Sequence, residues 1–255
     1  SFDFEFSWGT STRNGITQFL IYLRSILPQE KEISIYTHAT YSGTYWDIPN
    51  VEPVIDYLLY STYDWASSYT PHAISGFNSC VPHIATYFDA GLPPRKMVLV
   101  WAAYARRWTG VTAYNQSGAT ARASRGFTDG LYDTTFNPTY GGPYTSNYVT
   151  GDEVGWYTYN SGTADYVVTW DTPESIEYKI RASQVFPGSG GKWAGVRLRG
   201  VGWWSLMWMA EAGTGVSYNG NASDPPTGYV DRTRTYPHIY QLCEEILSPP
   251  GTSRF

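Results

Sequence analysis

The sequence predicts an α/β protein, a parallel sheet or barrel that carries a β-rich insertion, and three observations lead there. Met97 to Ala103 is a continuous apolar run, as a parallel strand needs when helices cover both of its faces. Strand-like segments alternate with helical stripes over most of the chain, which is the pattern of an α/β fold. Between Thr109 and Tyr159 the helical period vanishes and Gly, Thr, Tyr and Asn take over, so this stretch reads as a small β-dominated insertion.

The elements follow in order. Ser1 to Trp8 alternates, with Phe2, Phe4 and Phe6 on one side and Ser1, Asp3, Glu5 and Ser7 on the other, the period of a strand. Asn14 to Leu27 then sets Ile16, Phe19, Leu20, Leu23, Ile26 and Leu27 at helical spacing, and Pro28 closes the helix. Glu32 to Thr37 reads as a second strand and Tyr57 to Tyr63 as a third, with turn residues at Ser42-Gly43 and Pro49-Asn50 between them. Val81, Ile84, Ala85 and Phe88 form a helical stripe that stops at Gly91, Pro93 and Pro94. After the insertion, β-α order resumes. Val167 to Trp170 is a short strand, and Thr172-Pro173 supplies the cap and first position of a helix bearing Ile176 and Ile180. Val196 to Trp208 is expected to be a last buried strand, and Ile239, Leu242, Cys243 and Ile246 a last helix. The sequence has no internal repeat.

Composition narrows the function classes. Of 255 residues, 42% are apolar and 15% charged, so the chain packs a core. Seventeen Lys and Arg against 22 Asp and Glu give a formal charge of −5, and no basic run is dense enough to follow a phosphate backbone. Nucleic acid is therefore not an expected partner. Nor is a membrane, because no apolar stretch approaches the ~20 residues of a spanning helix. The aromatic content is high, with 11 Trp, 23 Tyr and 10 Phe. Rings with a flat apolar face and a polar tip suit a large core or a sugar-binding groove, and composition does not choose between the two.

Smaller features set further expectations. Cys80 and Cys243 leave one bridge, two free thiols or a bond to another chain all open. The chain opens at Ser1 without a Met, which reads as a processed or truncated terminus with any signal peptide removed from view. Asn115-Gln116-Ser117 and Asn221-Ala222-Ser223 fit the N-glycosylation pattern. Together these features point to a secreted, extracellular protein. His38, His72, His83 and His238 lack ligand spacing, so neither a metal nor another cofactor is expected. The Gly-rich stretches at Pro187 to Gly191 and Gly213 to Gly220 read as turns.

The first strand offers chemistry. Asp3 and Glu5 share a face about 6.5–7 Å apart along the chain, since each residue rises ~3.3 Å. Turned inward, such a pair raises one pKa and yields a proton donor beside a group that orients charge. Turned to water, it is an ordinary acidic face.

These residues carry a resemblance. Ser1-Phe2-Asp3-Phe4-Glu5-Phe6-Ser7-Trp8-Gly9 resembles the fourth barrel strand of glycoside hydrolase family 18, the chitinases and chitinase-like lectins, whose motif is Asp-x-x-Asp-x-Asp-x-Glu followed by an aromatic. Asp47-Ile48-Pro49 and then Tyr57 to Trp65, with Tyr63-Asp64, are similar to the sixth strand and its Met-x-Tyr-Asp motif. Lys96 to Arg106, with Tyr104 and Arg106, is similar to the seventh strand and its Tyr-Gly-Arg ending. Asp171-Thr172-Pro173-Glu174-Ser175-Ile176 with Lys179 resembles the segment after the family's α+β insertion, and Trp203-Trp204-Ser205-Leu206 the eighth strand.

The resemblance implies an α/β fold of the TIM (β/α)8 barrel type with an α+β insertion domain. On this basis 1–108 is a barrel segment holding strands four to seven, 109–166 the insertion domain, and 167–255 a barrel segment with strand eight and the last helices. The first three β-α units are missing from the chain, and the resemblance leads us to expect a second chain to supply those strands. It implies a chitinase that cleaves β-1,4-linked N-acetylglucosamine in chitin or its oligosaccharides, with retention and with the substrate's own acetamido oxygen as nucleophile. Glu5 falls on the proton donor and Asp3 on the aspartate that holds the acetamido group. Tyr63 and Asp64 fall on the pair that hydrogen-bonds that group, and Trp204 on the aromatic floor of the cleavage subsite. Tyr104, Arg106 and Trp65 line the cleft. Departures are visible too: Ser1 stands where the family has its middle aspartate, Ser61 replaces the methionine before Tyr63, and Val100, Ala102 and Ala105 replace Gly, Pro and Gly around Tyr104. Two alternatives stay open, a sugar-binding lectin without turnover and a barrel subunit of a two-chain assembly.

Overall fold

The computed structural model describes residues 1–4, 9–37, 45–64, 69–126, 147–160, 162–171 and 173–204. Its elements in chain order begin with β1 (Phe2–Phe4), α1 (Thr10–Ile26), β2 (Ser34–Thr37), α2 (Ile48–Val51), β3 (Tyr57–Ser61) and α3 (Phe77–Asp89). They continue with β4 (Met97–Ala102), β5 (Tyr104–Thr109), β6 (Ala121–Gly126), β7 (Asn147–Val149), β8 (Val154–Asn160), β9 (Asp165–Trp170), α4 (Pro173–Gln184) and β10 (Gly200–Trp204). Two compact units result. The first holds Ser1–Thr62, Asn78–Trp101 and Ala182–Gly202; the second holds Tyr63–Phe77, Ala102–Arg181 and the described part of Trp203–Phe255.

The first unit carries a sheet of order β1-β2-β3-β4-β10 whose pairs β1-β2, β2-β3 and β3-β4 are parallel. One row crosses it through Phe2, Ile35, Leu58 and Met97. The last three are fully buried, as are Tyr60 and Leu99 in the neighbouring strands. All four residues of β2 are buried, so both of its faces are covered and no polar alternation survives in its sequence. The apolar run at Met97 does form a strand, as its composition requires.

Helix α1 starts at Thr10, four residues before the expected boundary, because its first turn is polar and exposed and carries no apolar mark. Its stripe is also less buried than the spacing predicts. Leu20 is fully buried, whereas Phe19 and Ile26 are exposed, although Phe19 packs edge-on against Phe2 at 5.3 Å. Pro82 sits inside α3, in the first turns of a helix that begins before Val81. Cys80 on that helix is a buried thiol whose Sγ donates to the Thr62 carbonyl oxygen at 3.5 Å. Cys243, with the expected last helix, lies outside the described residues. Gly188 keeps φ at +74°, and a Cβ there would collide with the Lys192 carbonyl, so the turn read at Pro187 to Gly191 does need glycine.

Asp56 ties α1 to the sheet. Its Oδ2 accepts the Ile33 amide at 2.6 Å and the Arg24 guanidinium at 2.5 Å. Burial pushes this carboxyl up, but the Ile33 N–H and the Arg24 charge outweigh burial and hold its pKa below the usual 3.8. A depressed carboxylate pKa means that the unfolded chain binds the proton more readily. The resulting stabilisation is present above the ordinary carboxylate range and is lost as pH falls through the lowered value. Asp56→Asn should therefore flatten the acid limb of a urea-midpoint profile between neutral pH and pH 3. An unchanged limb contradicts this.

The second unit carries an antiparallel sheet of order β6-β5-β9-β8-β7. Here the expected strand and the helix after it are present, but the strand sits in a different kind of sheet. Val167 to Trp170, read as a return to β-α order, belongs to β9, which pairs antiparallel with β5 (Trp108↔Val167) and with β8 (Tyr157↔Val168). The physical reason is that the segment alternates over Tyr166, Val168 and Trp170 against Val167 and Thr169, and each face has its own cluster. Trp108, Val111, Ala119 and Val167 pack on one side with Trp156, while Ala105, Tyr157, Val168 and Trp170 pack on the other with Tyr159. Tyr104 to Arg106, read as the end of a barrel strand, likewise open β5 of this sheet.

Candidate active site

The chain leaves β3 through Tyr63 and Asp64, and Asp64 adopts φ of 66°. A left-handed conformation costs most residues of order 1–3 kcal/mol, and Asp is among those that tolerate it best. It turns the carboxylate toward β5. Two residues apart on that strand, Tyr104 and Arg106 present their side chains on the same face. The Tyr104 hydroxyl donates to Asp64 Oδ1 at 2.7 Å, and Arg106 Nη2 donates to the same oxygen. Tyr63 stands edge-on to the Tyr104 ring at 6.0 Å, and the Arg106 guanidinium lies 5.4 Å from that ring's centre.

Burial separates the roles within this group. Tyr63, Tyr104 and Arg106 are buried, whereas the Asp64 side chain is 42% exposed. Burial, with the Asp64 charge next, drives the Tyr104 phenol well above its ordinary pKa, so Tyr104 stays a neutral donor. Both donors converge on Oδ1, and among the described residues Asp64 Oδ2 accepts no hydrogen bond. The arrangement is a fixed, partly exposed acceptor on a buried aromatic and cationic base. Such an acceptor suits a hydroxyl or an amide N–H of a ligand.

The structure thus brings together four of the residues singled out in the sequence: Tyr63, Asp64, Tyr104 and Arg106. Asp3 lies on β1 in the first unit, with its side chain exposed. Trp204, the last residue of β10, falls in the second unit and is half-exposed, and its carbonyl accepts the Ala103 amide at 2.8 Å. Glu5 and Trp65 lie outside the described residues.

Two features escaped the sequence reading of the site. Arg122 on β6 pairs opposite Trp108 and so shares the face of Tyr104 and Arg106. Burial, and then the nearby Arg106 charge, lowers its pKa. Strand parity would have exposed it had the β5–β6 pairing been recognised. The second is the ion pair of Lys179 Nζ with Asp171 Oδ1 at 2.5 Å, in which Lys179 is fully buried and Asp171 is 4% exposed. Its signal was an aspartate ending a strand eight residues before a lysine on the inner face of the next helix.

A parallel sheet with intervening helices, joined in sequence to an antiparallel unit, places this chain among α/β proteins of the TIM-barrel type. Solved structures share that fold. The group IV chitinase of Ostrinia furnacalis, solved in complex with allosamidin, matches at a TM-score of 0.63 and 18% identity, over 80% of this chain and 60% of its own. A plant class V chitinase mutant from Cycas revoluta, in complex with (GlcNAc)3, matches at 0.63 and 14% identity, over 81% and 63%. The chitinase of Chromobacterium violaceum matches at 0.58 and 16% identity, over 79% and 60%. The chain therefore spans about three fifths of the length of these proteins. A family model described as glycosyl hydrolases family 18 matches residues 1–207. The chain belongs to that family.

Proposed function

We propose that this chain is a chitinase-like glycosidase, acting on β-1,4-linked N-acetylglucosamine polymers or oligomers by the substrate-assisted, retaining route. Membership of the family supports the reaction class, and the allosamidin and (GlcNAc)3 bound to the Ostrinia and Cycas proteins support the substrate class. The observation that carries the reading is the Asp64 carboxylate, held by Tyr104 and Arg106 on one oxygen and open on the other. Four residues that the family motifs single out lie together around one acceptor, which supports a role in holding a polar group of the substrate.

In the proposed mechanism Glu5 gives its proton to the glycosidic oxygen as the C–O bond breaks. The acetamido carbonyl oxygen attacks the anomeric carbon from the opposite face and forms an oxazolinium ion. Asp3 and Tyr63 align the acetamido group and stabilise the developing charge. Water then opens the ring, with Glu5 as base, and the original configuration returns. By the resemblance Trp204 and Trp65 are assigned to contact with the sugar, while Tyr104 and Arg106 hold Asp64 from beneath, and the proposed route uses no metal or cofactor. The protein acts outside the cell in this reading, where its polymer is found.

One observation favours a second reading. Ser1 replaces the family's middle aspartate, which blunts proton handling, and a groove without turnover is a lectin. Incubation with a fluorogenic chitooligosaccharide, beside retention on chitin beads, separates the two. Release of fluorophore supports the hydrolase, retention without release from acid to neutral pH supports the lectin, and neither result overturns both.

Asp64→Asn tests the acceptor directly, because asparagine also accepts the left-handed backbone. Losing a hydrogen bond to a charged group costs about 1.5–3 kcal/mol, so kcat/KM should fall about 10- to 100-fold in protein whose circular dichroism shows it still folded. An unchanged value removes Asp64 from the site.

A further inference from the structure

Beyond the glycosidase reading, and independent of it, stands the tripeptide Asn115-Gln116-Ser117. It lies in the loop that joins β5 to β6, and residues 115 to 118 are all exposed. The loop is held from beneath. The Asn115 amide donates to the Pro71 carbonyl at 3.0 Å, and the amides of Gly118 and Ala119 both donate to the Tyr69 carbonyl, at 2.9 and 3.0 Å. Tyr114 adds a side-chain clamp, accepting the Ala73 amide at 3.0 Å and donating to Asp152 Oδ2 at 2.7 Å.

Within this fixed loop the three side chains of the tripeptide behave differently. Gln116 folds back, its Oε1 accepting the Thr112 amide at 2.8 Å and the Thr112 hydroxyl at 3.1 Å. Asn115 and Ser117 are exposed and make no side-chain hydrogen bond among the described residues. Asn115 holds φ of 64°, which carries its backbone through the tight turn at the loop tip. The two groups that N-glycosylation requires, the asparagine amide and the hydroxyl two residues on, are therefore presented to solvent, while the middle side chain serves the fold.

We propose that Asn115 is an N-glycan attachment site. The chemistry is transfer from a lipid diphosphate-linked oligosaccharide. The amide nitrogen forms a bond to the anomeric carbon, the bond from that carbon to the diphosphate oxygen breaks, and the lipid diphosphate leaves with the electron pair. The amide proton passes to a base of the transferase. Because acceptor segments are modified as the chain enters the secretory lumen, the folded state must then accommodate the glycan. A rigid loop tip with four consecutive exposed residues does so without unfolding.

The position also spares the candidate site. Tyr104 and Arg106 open β5, whereas this loop follows Thr109 at its far end, and the five steps between Tyr104 and Thr109 span roughly 17 Å at ~3.3 Å each. The Asn221 tripeptide lies outside the described residues and serves as the internal comparison.

The test is site-resolved mass spectrometry of the full chain, expressed into the secretory pathway of a eukaryotic host, on both the secreted and the cell-retained pools. The peptide holding Asn115 is expected to carry a high-mannose or processed glycan, and digestion with peptide-N-glycosidase F should convert the amide at position 115 to a carboxylate. Asn115→Gln and Ser117→Ala should each remove one glycan from the intact mass, whereas Asn221→Gln should leave the glycan at position 115 in place. An unmodified Asn115 peptide in both pools overturns the proposal, and so does a glycan found at Asn221 alone. Since hydrolysis does not enter the readout, an inactive protein bearing this glycan rejects the glycosidase reading and keeps the site.

Discussion

Glu5→Gln is expected to lower kcat on a fluorogenic chitooligosaccharide by about 10²- to 10⁴-fold, the usual range for removing a general acid. KM should change little, because glutamine has almost the same shape and still hydrogen-bonds the glycosidic oxygen. Glu5 stands two residues from Asp3, and the alternating pattern of the sequence sets both carboxyls on one side of an extended segment. An aryl glycoside with an acidic leaving group needs less protonation, so the loss should shrink as the leaving group improves. That dependence is diagnostic, since a merely structural defect would lower all substrates alike. Equal rates for native and Glu5→Gln protein would remove Glu5 from the reaction.

Lys179→Met is expected to cost about 3–5 kcal/mol of unfolding free energy, read from urea denaturation by tryptophan fluorescence. The size follows from burial. Lys179 is fully enclosed on α4, and its Nζ meets Asp171 Oδ1 at 2.5 Å where β9 ends. Burial pushes the Asp171 carboxyl up, the ammonium pulls against it, and the second oxygen has no hydrogen-bond partner among the described residues. Removing the lysine leaves that carboxylate without its counter-charge in a dry site. The double variant Asp171→Leu with Lys179→Met should recover most of the loss, because an apolar pair avoids the desolvation that the ions suffer. A single variant within about 1 kcal/mol of the native protein, as surface pairs behave, would refute this account.

Much of the fold was legible. The β-α steps around α1, β2, β3, α3 and β4 were readable because a strand covered on both faces is a run of apolar residues, and a helix on a core carries a stripe. Met97 to Ala102 and Val81 to Phe88 show both signatures without interference. The start of α1 was not legible, since Thr10 to Arg13 face water and helix formation there is settled by the backbone bond from the Arg13 amide to Gly9. Burial along α1 was overestimated for a related reason. Phe19 and Ile26 have helical spacing, but spacing gives only the angle between side chains and not whether anything packs against them.

The candidate site divides in the same way. Tyr63-Asp64 and Tyr104-x-Arg106 were found as short motifs, and the structure joins them into one acceptor. Arg122 was missed because its relation to Arg106 depends on which strand pairs with β5. The Lys179–Asp171 residues were seen as part of a motif, yet nothing in their types announced that both would be sealed from water.

By itself, then, the sequence determined the local periods, the aromatic-rich and mildly acidic character of the chain, and the family to which it belongs. Those properties are carried by each residue and its near neighbours. Only the tertiary structure decided that β9 joins an antiparallel sheet, that one oxygen of Asp64 is held while the other is open, and that a lysine and an aspartate share a buried pocket. Each of these depends on a contact between residues far apart in the chain. Parity and propensity rank what one segment can do, whereas pairing and burial are settled by what every other segment has already covered.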